Sequence, residues 1–128
     1  MIKVTIKKND NNIVSFVIDN HALPGDRDFN SDPALVGEAF DMICNSVSVL
    51  SQSVIIGLDE VLKLNFTYEM KDGYLKLDLS DFSFKELEKA QVLLLTFEKS
   101  LESVMLSLEN MFGKQKRREY ITLIKEEV

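Results

Sequence analysis

From Ser83 to Gly113 the sequence repeats apolar residues at steps of three and four: Leu87, Ala90, Leu94, Phe97, Leu101, Val104, Leu108 and Met111. That spacing gathers them on one face of a helix. Ser83 with Glu86 makes a capping box, and Phe82 with Leu87 a hydrophobic staple around it, so the helix is predicted to begin at Phe84 and to end at Gly113. At 1.5 Å per residue it is about 44 Å long, more than a small sheet can cover. A second apolar row, Leu93, Leu95, Met105 and Leu106, widens the face that needs covering. We therefore expect a homodimer.

The remaining sequence supplies the sheet. Ile2, Val4 and Ile6 alternate with Lys3, Thr5 and Lys7, and the polar cluster Asn9 to Asn12 separates them from the β-branched run Ile13 to Ile18, which predicts a hairpin. Leu64, Phe66, Tyr68 and Met70, then Asp72-Gly73, then Leu75, Leu77 and Leu79 predict a second one. Between the hairpins, Asp32-Pro33 is an N-cap and first-turn pair, followed by a stripe of Val36, Phe40, Ile43, Val47, Leu50 and Val54, with Gly57 as the stop. Gly37 and a second capping candidate at Asp41 leave the start of this helix open. Tyr120 to Ile124 reads as a last strand. The order is ββαββαβ, a single α+β domain over residues 1–128, with two helices, the second long, on a mainly antiparallel sheet.

Composition narrows the chemistry. A chain of 128 residues that is 45% hydrophobic buries a core without metals or disulfides, and its single cysteine excludes an internal disulfide framework. The amino terminus turns polar by Asn9, the wrong shape for a signal peptide, and no apolar run is read as a membrane span, so a cytoplasmic location is expected. Fifteen Lys and Arg against twenty-one Asp and Glu give a net charge of -6, which disfavours nucleic acid and steers in a basic partner. One His and one Cys match no zinc signature. Asp26, Asp28, Asn30 and Asp32 alternate as in a calcium loop, but Ser31 stands where Gly is required and Gly37 where the closing Glu belongs, so they read as a solvated acidic loop. The run Lys114, Lys116, Arg117 and Arg118 reads as cations offsetting the carboxyl-terminal dipole of the long helix. RNA contact is its rival use, without an aromatic stacking motif to accompany it.

Taken alone, Cys44 among Ile43, Val47 and Leu50 is a small buried hydrophobe, and His21 a solvated side chain at the start of the long loop Asp19 to Asp32. The motifs around them add to this. Asn20-His21-Ala22, followed after the loop by Asp41-Met42-Ile43-Cys44-Asn45-Ser46-Val47-Ser48-Val49-Leu50, resembles the ribosomal-processing cysteine proteases known as Prp. In that family a Gly-His-Ala step ends the second strand, and Asp-Ile-Val-Cys-Ala-Ala-Val-Ser opens the helix that carries the nucleophile. The resemblance extends to the whole ββαββαβ order. It implies Cys44 as nucleophile and His21 as general base, with Asn20, Ala22, Asp41 and Ser48 as supporting motif residues and no cofactor. It also implies a homodimer that removes the amino-terminal extension of large-subunit ribosomal protein twenty-seven.

Asn20 and Ala39 stand where the family has Gly, Asn45-Ser46 replaces Ala-Ala, and Pro33 to Phe40 lengthens the loop. Two arrangements fit that insertion. If a helix starts at Asp41, Cys44 lies in its first turn, where the dipole and free amides favour thiolate and can hold an oxyanion. If one helix runs on from Pro33, those amides are already bonded and both arguments fail. The rival function is a catalytically silent relative, a dimeric module that binds a peptide or the ribosome. Because the mature part of such a ribosomal protein is basic, Asp26, Asp28, Asp32 and Glu38 are expected to guide it in. Cleavage should therefore slow from low to high salt, and an unchanged rate would count against that guidance.

Overall fold

The computed structural model describes the backbone of residues 1–20 and 33–128, and the side chains of residues 1–20 and 40–128. Its order is β1 (Ile2–Asn9), β2 (Asn12–Asp19), α1 (Pro33–Ile56), β3 (Tyr68–Lys71), β4 (Tyr74–Asp78), α2 (Phe84–Phe112), α3 (Lys114–Tyr120) and β5 (Ile121–Glu127). The sheet order is β3-β4-β2-β1-β5, antiparallel throughout except that β5 runs parallel to β1. The expected α+β class and the order of the first six elements stand.

The register puts one side of each strand into the core. Val4 pairs with Ile18 and Leu123, Ile6 with Phe16, and Phe16 with Leu77. Ile2, Val4, Ile6, Phe16 and Leu77 are fully buried in one cluster with Ile43, Val47 and Val54 of α1 and with Ala90, Leu94, Phe97 and Leu101 of α2. The opposite face carries Lys3, Thr5, Lys7, Lys76 and Asp78. Asp10 and Asn11, both with positive φ, turn β1 into β2, a conformation these residue types tolerate.

The capping box predicted at α2 is present: Ser83 N–H donates to Glu86 Oε1 at 3.0 Å, and Glu86 N–H to Ser83 Oγ at 3.2 Å. Gly113, at φ 87°, ends the helix as expected. Met111, predicted inward, is 70% exposed. The basic run forms a helix of its own, α3, in place of capping α2. Arg117 pairs with Glu109 at 3.0 Å and donates to the Ile121 carbonyl, so it fastens the turn between helix and strand.

Three further expectations change. Leu64 to Thr67 lies outside the second hairpin although its alternation is real. β4 ends at Asp78, leaving no partner for that stretch, and Leu64 N–H bonds instead to the Leu58 carbonyl. Gly57 does not stop the chain's helical course, because a π-helical turn, Gly57–Val61, follows. A Cβ at Gly57 would stand 2.6 Å from a methyl of Leu93, so glycine here serves close packing of that turn on α2. Finally, Phe40–Val61 is long and apolar enough to cross a membrane by length and composition, yet Ile43, Val47 and Val54 within it belong to the core.

α2 is held to the sheet by two buried polar contacts. Gln91 Oε1 accepts from Ile13 N–H at 2.8 Å and its Nε2 donates to the Ile13 carbonyl at 2.9 Å. This amide replaces a strand neighbour just where β1 and β2 shift register between Lys7 and Lys8. Glu98, 2% exposed, pairs with Lys8 at 2.9 Å. Gln91→Leu should lower unfolding free energy by about 2–5 kcal/mol, because it strands two buried backbone groups. Urea denaturation checks this, and a loss under about 1 kcal/mol would contradict the role.

Candidate active site

β2 ends at Asp19, and the next residue is tied down. Asn20 N–H donates to the carbonyl of Gly73 at 2.7 Å, which joins the end of β2 to the turn between β3 and β4. Gly73 has φ 74°, the left-handed conformation that the Asp72-Gly73 pair predicted. Beside this junction runs the face of α1 that carries Cys44 and Ser48. Between them lies a groove of about 350 Å³. Ile18, Val47 and Leu75 give it apolar lining, while Asn45, Ser48, Ser51 and Gln52 supply polar groups from α1, and Met70 to Tyr74 form the hairpin side. On that hairpin side Lys71 pairs with Glu69 at 3.0 Å and lies 5.6 Å from the ring centre of Tyr74.

Three of the predicted site residues, Asn20, Cys44 and Ser48, line this groove together. Asp41 does not line it, but it acts on Cys44 from one turn earlier on the helix. His21, Ala22 and the acidic loop residues Asp26, Asp28, Asn30 and Asp32 lie outside the described residues. Asn20 Oδ1 is buried with no hydrogen-bond partner among the described residues. Sequence reading missed Ser51, Gln52 and the wall from Met70 to Tyr74. Gln52 follows Cys44 and Ser48 at steps of four, so helical periodicity could have found it. The hairpin wall depends on pairing between β2 and β4, which no local pattern announces.

The open question about α1 is settled by its extent. The helix is continuous from Pro33, so Asp41 is no N-cap and Cys44 lies about three turns in. Its neighbouring amides are committed to the helix's own ladder, and neither the dipole nor a backbone oxyanion site acts on Cys44. The surroundings push the thiol the other way. Burial raises its pKa, Asp41 raises it further, and the amino terminus pulls it only part of the way back. These surroundings favour the protonated thiol over the thiolate. Among the described residues no three side chains converge as metal ligands.

Alkylation of Cys44 by iodoacetamide should accordingly titrate above the ordinary cysteine range. Asp41→Asn removes a negative charge that opposes thiolate, so at fixed pH it should speed alkylation, by less than about tenfold since one pKa unit is worth that factor. A slower reaction in Asp41→Asn would show that the carboxylate does not act on the sulfur in this way.

Comparison with known proteins bears on the fold and the family. The structure is similar to SMU.848 from Streptococcus mutans, with a TM-score of 0.68 and 24% identity over 100% of this chain and 96% of that one. It is similar to the essential ribosomal processing protease Prp from S. aureus, solved with a covalently linked product peptide, at a TM-score of 0.66 and 19% identity over 98% of this chain and 100% of that one. A hypothetical protein from Staphylococcus aureus aligns at a TM-score of 0.58 and 14% identity, over 98% and 100% of the two chains. No curated protein matches the sequence. At these identities the structural matches show the fold. The sequence model for cysteine protease Prp matches residues 1–113, everything before α3 and β5. This chain belongs to the Prp family of cysteine proteases.

Proposed function

We propose that the chain is a cysteine endopeptidase that removes the amino-terminal extension of large-subunit ribosomal protein twenty-seven, with Cys44 as nucleophile and His21 as general base. The observation that carries this reading is the position of Cys44 on the wall of a groove, in a member of a cysteine protease family. The covalently linked product peptide of the S. aureus protease supports a peptide substrate. A thiol whose surroundings favour its protonated form needs a base to take its proton as substrate is attacked, and His21 directly follows the anchored Asn20 in sequence. The imidazolium then returns that proton to the leaving amine, and water releases the acyl group. No cofactor enters these steps.

The enzyme acts as a homodimer in the cytoplasm. Supporting a second copy, α2 exposes Val92 at 73% and Leu106 at 58%, while α1 exposes Met42, Val49 and Ile56 at intervals of seven. One observation favours the rival reading of a peptide-binding module without catalysis: the raised thiol pKa, with Asp41 opposing thiolate.

Mass spectrometry of the extended ribosomal protein separates the two. Wild type should make one defined cut, and Cys44→Ala and His21→Ala should make none while staying folded. Intact substrate with folded, dimeric wild type, or a cut retained in Cys44→Ala, would rule out the protease assignment.

A further inference from the structure

We propose that Gln52 is a positioning residue that keeps the Ser48 hydroxyl as a hydrogen-bond donor to the oxyanion formed at Cys44; this rests on the protease reading above. Ser46, Ser48, Ser51 and Ser53 all ride on the described part of α1. Three of them give their proton back to the helix: Ser46 Oγ to the Met42 carbonyl at 3.0 Å, Ser51 Oγ to the Ser48 carbonyl at 2.9 Å, and Ser53 Oγ to the Leu50 carbonyl at 2.7 Å. That is the usual fate of serine inside a helix. Ser48 does the opposite. Its Oγ accepts from Gln52 Nε2 at 3.1 Å, and its own proton has no acceptor among the described residues.

A hydroxyl holds one proton and two lone pairs. With Gln52 on one lone pair, the proton points away from Gln52, and Ser48 lines the groove. Residues four apart on a helix have Cβ atoms about 5–6 Å apart on one face, so a carbonyl attacked by the Cys44 sulfur has its oxygen within reach of a hydroxyl one turn on. The amides around Cys44 are spent within α1, so a donor from this helix has to be a side chain.

In the acylation step the Cys44 sulfur forms a bond to the carbonyl carbon, and the π pair moves onto oxygen, where the Ser48 O–H donates. Collapse restores the carbonyl and breaks the C–N bond. The amine leaves with the proton that His21 took from the thiol, and Ser48 keeps its own throughout. A hydrogen bond to an oxyanion is stronger than one to a neutral carbonyl, so the effect falls on kcat and spares KM.

The test is steady-state cleavage of a peptide spanning the cut in the ribosomal extension. Ser48→Ala should lower kcat about a hundredfold and leave KM within about twofold. Gln52→Met leaves the hydroxyl free to rotate and should cost less than about tenfold. Gln52→Glu replaces a donor by a carboxylate that attracts the Ser48 proton, and should cost as much as Ser48→Ala. Glu and Met have similar helix propensity, so a merely structural role for Gln52 would not separate these two variants, and their melting temperatures should agree. Unchanged kcat in Ser48→Ala, a loss confined to KM, or Gln52→Glu no worse than Gln52→Met would overturn this inference alone. Failure of folded wild type to cleave would overturn the protease reading and this inference with it.

Discussion

The side-chain amide of Gln91 takes the place of a strand. β2 reaches past the end of its ladder with β4, and the backbone groups of Ile13 would be buried there without partners if α2 did not offer a donor and an acceptor at the right spacing. This contact fixes the height and rotation of α2 on the sheet more sharply than its leucines can, because apolar packing is not directional. With α2 fixed, Gly57 sets how closely the end of α1 approaches it through Leu93. α1 in turn carries one wall of the groove, while β2 and β4 carry the other through Asn20 and the Gly73 turn.

That arrangement separates holding a thiol from activating it. A cysteine at a helix start gains reactivity from the helix itself, whereas Cys44, inside a long helix, takes shape and position from it but no help from its dipole. The surroundings favour its protonated form, so any chemistry must come from groups brought up to it. The polar row of Asn45, Ser48 and Gln52 on the same helix shows where α1 places hydrogen-bonding capacity.

Much of this was legible in the residues. The capping box at Ser83, the Asp72-Gly73 turn and the alternation of β1 each use contacts within a few residues, so their signals are local. The start of α1 was not legible, since Asp32-Pro33 and Asp41 are both competent caps and the choice depends on packing. Nor was α3, whose cations suit either a helix end or a short helix. The candidate site divides the same way. Cys44 and Ser48 share a face by helical spacing, but their juxtaposition with Asn20 and the hairpin depends on β2 pairing with β4.

The parallel pairing of β1 with β5 joins two strands that lie far apart in the sequence. Ile2 lies beside Ile121 and Lys8 beside Glu127, so β1 has its outer neighbour only when the residues after α3 are in place. Without β5 the outer backbone edge of β1 is unpaired and open to any other extended chain. The ion pairs that Lys125 makes with Glu98 and Glu102 of α2 then act as a latch, closing that edge from the helix side. Whatever loosens β5 therefore uncovers the edge of β1 as well.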